Sequence, residues 1–581
     1  MYKVKIYVIK NRDDTIMYNE PEKNEIREKI IRSSIEILTA KRKYSTITNP
    51  QYIKKVQKFL KEDSWHESDH KLVGMLSTDT FNSWEKYYKS LLIDKNASNL
   101  KVAFLAGPNP ENDMKILIDN GILEENIWAF ESNNNLYKEA VNNLIDKFPK
   151  SKIYKGKIEN FFSNTPIKFD IVYLDFCGPI MVKSNKNKSI VTLLKLIKSH
   201  ALNSPGVLIT NFALPSEEQD KQGRELLAKL TTLYLYPKRF INSKICISEQ
   251  GIEINEMIKL VEENLEFYYG EFISRLIMDL ASVIVPYSKL ANNKEYFNNF
   301  FDISENDKKK ALRNLEECNE NISLYQEKEI NDYKEYYTKE DLEKILNEYN
   351  NYSDGQGCEM EEKGVNDDVG GWIGSHTDFF SIPWTFCAMN EEEDEILSNI
   401  CDETFRDYAK AFLSQISEDR KETIDGIKLI YYMIFTEVNK HYSEKLKKVY
   451  NVDWRKIAPQ FCDVFTFHSI IGVLLGQVTV PYHVNVKETR RWTYKAKSTQ
   501  MFTDMFVLDE CRYIYDMMPT IDMIVNSLKN IDYQLCYRFA LEGLYKNQLL
   551  YNSEFFEGNA VVGRNHEGFE EAEFEDREFI N

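Results

Sequence analysis

KVAFLAGPNPEND, residues 101–113, is the stretch that decides how this chain is read. Five consecutive apolar residues, Val102 to Ala106, run into Gly107 and then into two prolines. An apolar run of this length bounded by turn residues suits a strand buried on both faces, as in a parallel sheet. Gly107 permits an unusual backbone conformation, and Asn109 is placed to cap a helix whose first position is Pro110. Outward from it, four similar runs follow: NIWAF (126–130), KIYKG (152–156), DIVYL (170–174) and GVLIT (206–210). Amphipathic stretches separate them. Met114, Leu117 and Ile118 share one helical face, Leu136, Ala140, Val141, Leu144, Ile145 and Phe148 a second, and Leu193, Leu194 and Ile197 a third. The order strand–helix–strand–helix–strand–strand–helix–strand predicts a doubly wound α/β sheet over residues 100–250.

Around this unit the chain reads as largely helical. Residues 1–99 open with a short alternating strand (2–9), followed by helical spacing over 22–60 and 81–92. Residues 251–370 form a helical region and a linker, the linker being the Gly-, Asp- and Glu-rich 351–371. Residues 371–552 are expected to be a mostly helical C-terminal domain with one extended stretch at 476–484, and 553–581 a disordered acidic tail. With 581 residues, more than one structural unit is expected. The net charge of −18 argues against a protein that coats nucleic acid by bulk charge. The charge is uneven, however: residues 1–62 carry fifteen bases against eight acids, and 553–581 nine acids against two bases. Nine cysteines form no CxxC pair and no cluster at metal spacing, which points to reduced thiols in the cytoplasm and to no metal site. No apolar run is long enough for a membrane span. His66 and His70, at i and i+4, have no third ligand nearby and read as exposed polar residues, and His376 and His483 as ordinary polar contacts.

An open parallel sheet binds ligands beyond the carboxyl ends of its strands, at the point where strand order reverses. An adenosyl cofactor needs a tight turn after the first strand, an acid after the second for the ribose hydroxyls, and a group after the fourth facing the reacting carbon. The turn is Gly107, Pro108 and Asn109. The acid is Glu131, with Ser132 beside it. The group after the fourth strand is Asp175, in YLDFCGP (173–179). Gly156 to Glu159, and in particular Ile158 and Glu159, follow the third strand and flank an adenine. Each residue has a plainer reading: Gly107 as a turn glycine, Glu131 and Asp175 as helix caps.

On these residues the chain resembles the class I S-adenosylmethionine-dependent methyltransferase superfamily. The resemblance implies a Rossmann-like sheet, S-adenosylmethionine as cofactor, and roles for Gly107 in the first motif, Glu131 in the ribose-binding motif and Asp175 on the catalytic face. It covers about a quarter of the chain. The loop departs from the family pattern in having one glycine and two prolines, with Phe104, Leu105 and Ala106 where an acid often stands. A nicotinamide enzyme would show G-x-G-x-x-G, which is missing.

Cys177 stands where pyrimidine carbon-5 methyltransferases carry a nucleophilic thiol, and also reads as a small packing residue. A nucleic-acid base is the expected acceptor. Its contacts are expected from KSNKNKS (183–189), through Lys183 and Lys186, and from VKETRRWTYKAKSTQMF (486–502), through Arg490, Arg491, Trp492 and Lys495. The alternatives are a non-catalytic scaffold whose C-terminal half binds a protein partner, and a methyltransferase acting on a protein or small molecule.

Overall fold

A computed structural model describes residues 21–48, 78–180, 189–215, 220–235, 254–292, 478–517 and 574–580, with isolated positions between 50 and 62 and between 295 and 313. In chain order the elements are α1 (Pro21–Leu38), α2 (Thr78–Leu91), β1 (Val102–Leu105), α3 (Glu111–Asp119), β2 (Ile127–Glu131), α4 (Asn134–Ile145), β3 (Lys152–Lys155) and α5 (Ile158–Asn164). Then come β4 (Phe169–Asp175), α6 (Ser189–Lys198), β5 (Leu202–Ala213), α7 (Lys221–Leu235), α8 (Ile254–Glu263) and α9 (Leu265–Asp279). A π-helical turn, Leu280–Ile284, leads into α10 (Val285–Asn292). The last elements are β6 (His483–Val484), β7 (Arg490–Ala496), β8 (Thr499–Asp509), α11 (Arg512–Tyr515) and β9 (Glu578–Ile580).

The strands form one sheet in the order β3-β2-β1-β4-β5-β8-β7-β9, with β6 also paired to β8. β1 to β5 are mutually parallel, while β8 runs antiparallel to both β5 and β7. This mixed α/β order, flanked by helical regions, is that of the Rossmann-like methyltransferase fold. The five predicted runs become β1 to β5, side by side. The continuous apolar character of β1, β4 and β5 has a direct cause: Ala103, Val172 and Leu208 enter one core, and Val102, Phe104, Ile171, Tyr173 and Ile209 enter the other, on the opposite face, whereas β3 at the sheet edge is largely exposed. Strands covered on both faces cannot alternate apolar with polar residues.

α1 covers one face. Ile26, Ile30, Ile31, Ile35 and Leu38 recur at helical spacing, are buried, and pack with Phe104, Tyr173 and Ile209. Fully burying such a side chain contributes about 1.5–3 kcal/mol. Pro21 and Glu22 in the first turn suit a helix start. The opposite face is covered by α5, α6, α7 and α9. α5 escapes sequence reading because seven residues, IENFFSN, are too few to display a period.

Three expectations about organisation are corrected. The described part of 371–552 is not a separate helical unit: β7 and β8 form a hairpin that completes the sheet, with Gly206 to Ala213 of β5 paired to Leu508 to Met501 of β8. The sheet therefore does not end near residue 250. The described residues of the acidic tail are ordered, since Trp492 to Tyr494 pair with Glu578 to Ile580 of β9. Arg577 anchors that strand by reaching the fully buried Asp504 with both Nη atoms, Nη2 lying 2.9 Å from Oδ2. Gly270 of α9 makes room for it, because a Cβ there would lie 2.6 Å from Arg577 Nε. The predicted strand 2–9, His66, His70, His376 and the linker 351–371 lie outside the described residues. Among the described residues no helix is long and apolar enough to cross a membrane.

Candidate functional site at the carboxyl ends of the strands

Strand order reverses between β1 and β4, and the carboxyl ends of β1, β2 and β4 open there on a cleft of about 610 Å³. Gly107, Pro108, Asn109, Glu131, Ser132, Ile158, Glu159, Asp175 and Cys177 all line it. Residues far apart in sequence share this space because parallel strands end at one rim.

Gly107 has φ +58, and a Cβ built on it would meet nothing within 4 Å. Its requirement is therefore conformational, and the space beside its backbone stays open to a ligand. The helix after it differs from expectation. α3 starts at Glu111 with Pro110 in the cap position and no side-chain cap bond, and Asn109 contributes only its carbonyl, which accepts from Asn112 N–H at 3.3 Å. At the end of β2, Asn133 N–H donates to Glu131 Oε1 at 2.6 Å, while Asn133 itself caps α4. Glu131 is thus held in place at the rim by backbone. Phe130 and Ile158 provide an apolar wall, backed by Phe161 and Phe162. Glu159 is buried and accepts from Thr192 Oγ1 at 3.3 Å.

Asp175 is the centre of the other end. Its Oδ2 lies 2.9 Å from the Lys23 ammonium of α1. Its Oδ1 accepts from Asn211 Nδ2 at 2.8 Å and from the Cys177 thiol at 3.1 Å. Asn211 is fixed in turn by Thr503 Oγ1 (2.8 Å) and by Tyr494 Oη (3.1 Å). Burial by itself would push the Asp175 carboxyl up, but the Lys23 charge and these donors outweigh it and hold the group below the usual carboxylate range. Burial likewise works against the Lys23 ammonium, and Asp175 outweighs it, so Lys23 is held charged. Cys177 moves the opposite way: burial, then the Asp175 charge, pushes its thiol up to about 12. A nucleophilic cysteine needs a lowered value, so the nucleophile expectation for Cys177 is not supported by its surroundings.

A second ion pair sits beside the Gly107 turn. Arg27 Nε lies 2.7 Å from Asp113 Oδ1, and both side chains are about nine-tenths buried. Burial pushes the Asp113 carboxyl up to about 6 in spite of Arg27. Lys23, Asn24, Arg27 and Asn211 are site residues that sequence reasoning missed. One signal was present: Arg27 falls in the isoleucine stripe of α1, and a cation on an apolar face demands a partner.

The expected nucleic-acid contacts do not converge on this cleft. Lys183 and Lys186 lie outside the described residues. Arg491 is buried and ion-paired with Glu271, and Trp492 is buried with Nε1 donating to Glu578 Oε2 at 3.0 Å. These two belong to the interior of the sheet and are corrected as surface contacts. Arg490 is half-buried beside Glu575 at 3.5 Å, and Lys495 is exposed. His483 is a buried polar contact at the far end of the sheet, with Nε2 2.6 Å from Tyr515 Oη. Among the described residues no group of three or more His, Cys, Asp or Glu is placed to hold a metal ion. In comparison with known proteins, no family model, no curated protein and no solved structure matches this chain.

Proposed function

We propose that this chain is an S-adenosylmethionine-dependent methyltransferase. The observation that carries the reading is the convergence of the Gly107 turn, Glu131, the Phe130–Ile158 wall and Asp175 on one cleft of about 610 Å³ at the switch point of the sheet. That volume lies in the range of small-molecule sites. The donor set fits the group. Glu131, its Oε1 braced by Asn133, accepts the two ribose hydroxyls. Phe130 and Ile158 take the adenine face, and Glu159 is at hand for its polar edge. The backbone at Gly107 to Asn109 meets the amino-acid end. When bound, the cofactor supplies a methyl group on a sulfonium for in-line transfer, leaving S-adenosylhomocysteine.

Asp175 aligns the acceptor by hydrogen bonding and leaves proton abstraction aside, since a carboxylate held below its usual range is a weak base. Lys23 keeps it ionised. Cys177, held as a thiol, donates to Asp175 and makes no bond to the acceptor. The acceptor we propose is a nucleic-acid base, RNA or DNA. That reading draws on Lys183 and Lys186 beyond β4 in the sequence, and not on Arg491 and Trp492, which are buried.

Calorimetric titration with S-adenosylmethionine tests the cofactor. Wild type binds, and Glu131→Ala weakens binding by about 10- to 100-fold, as expected for loss of charge-assisted hydrogen bonds. A wild-type chain that gives no heat of binding would sink the proposal. It would favour the second reading, a non-catalytic scaffold with a protein partner, to which the glycine-poor loop points. Labelled methyl incorporated into protein and not into RNA or DNA would overturn the acceptor.

A further inference from the structure

The Arg27–Asp113 pair is charged, buried and on the cleft wall, yet its geometry is incomplete. The Nε and Oδ1 atoms are 2.7 Å apart, but the N–H is not directed at the oxygen, so charge holds the two together without a well-aligned hydrogen bond. Arg27 spends Nη1 on Asn24 Oδ1 at 2.7 Å. Buried polar atoms without a well-directed hydrogen bond are uncommon in a native fold and call for an explanation, a bound ligand being one. Burial outweighs the adjacent Arg27 at Asp113, whose carboxyl sits at about 6. Lys23, one turn earlier on α1, is already committed to Asp175, so the charge available at this corner is Arg27.

One buried cation and one buried anion, side by side and both facing a cleft, are complementary to a ligand end that carries both charges. We propose that Arg27 and Asp113 form the receptor for a zwitterionic α-amino-acid head group, Arg27 taking its carboxylate and Asp113 its ammonium. The inference rests on the adenosyl reading above and names how the amino-acid end is held. Phe104, Leu105 and Ala106 leave no acid before the turn, and Asp113, in the first turn of α3, supplies it from the other side of Gly107. The partner cation comes from α1, a helix outside the α/β unit proper. The planar guanidinium suits a carboxylate, and the positive N-terminal end of α3 adds to the attraction for it.

The test uses two ligands on the full chain. S-adenosylhomocysteine carries the amino-acid end, and 5′-methylthioadenosine has the same nucleoside and thioether without it. Arg27→Met and, separately, Asp113→Asn are titrated calorimetrically with both. The expected result is a loss of tenfold or more for S-adenosylhomocysteine and a change under twofold for 5′-methylthioadenosine. The unchanged ligand also reports that the variant is folded. If Arg27→Met does not fold, Arg27→Lys keeps the charge without the fork and should lose three- to tenfold on S-adenosylhomocysteine alone. Equal losses for both ligands, or none for either, would overturn the receptor and leave the adenosyl reading standing. A wild-type chain that binds neither ligand would overturn the adenosyl reading and the receptor with it.

Discussion

Asp175 and Cys177 are two residues apart, share a hydrogen bond, and are driven in opposite directions by the same surroundings. Lys23 decides the outcome for the carboxylate; burial, with the carboxylate charge added to it, decides it for the thiol. Cys177 as a residue reaches the surface, while its sulfur is turned in toward Asp175. With its thiol at about 12, we expect alkylation by iodoacetamide at pH 7.5 to be at least tenfold slower than for a free thiol, followed by mass spectrometry. Asp175→Asn removes the charge that raises it, and alkylation should then accelerate. Replacing Lys23 by Met leaves Asp175 half-buried without its cation. We expect a loss of about 2 kcal/mol in urea unfolding at pH 7, between the values for exposed and fully buried pairs. The sign with pH follows from the lowered Asp175 value. The pair's contribution is present above the ordinary carboxylate range and fades as pH falls through the lowered value, so the difference between wild type and variant should shrink in acid.

At the scale of elements, α1, β6 and β9 carry the tests. Ile30 of α1 is fully buried in the core that α1 shares with β1 and β4, and Ile30→Ala should cost about 2–5 kcal/mol. Because α1 also delivers Lys23 and Arg27, a destabilised α1 should weaken adenosyl ligand binding in parallel, read by calorimetry. His483 in β6 is buried, and burial lowers its imidazole from 6.5 to about 3. The unfolded chain takes up a proton below about 6.5 and the folded chain does not, so stability should fall by about 1.4 kcal/mol per pH unit in that window. His483→Gln should flatten the slope between pH 7 and pH 5. In β9, Arg577→Met strands the Asp504 carboxylate in the sheet at a cost of about 3–5 kcal/mol. Adding Asp504→Asn should recover part of that, a non-additivity measurable by denaturant unfolding.

For the whole molecule the governing fact is that β5 finds its neighbour β8 almost 300 residues later. A chain ended at residue 235 would keep β1 to β5 and expose the β5 edge together with the apolar residues that α9 and the β7–β8 hairpin cover. We expect it to aggregate on size-exclusion chromatography where the full chain does not. Much of the first half of this sheet was legible in the sequence, and so was the rim of the cleft. Strands buried on both faces must be continuously apolar, and a doubly wound order puts the residues after β1, β2, β3 and β4 at one end, so Gly107, Glu131, Ile158 and Asp175 could be named from local pattern and order alone. The tertiary structure alone decided the rest. It turned RRWTY from a surface stretch into interior strand, since β-pairing over long sequence separation leaves no local period. It also brought Lys23 and Arg27 of α1 onto Asp175 and Asp113, because the partner of a buried charge is chosen by how a helix docks and not by its distance along the chain.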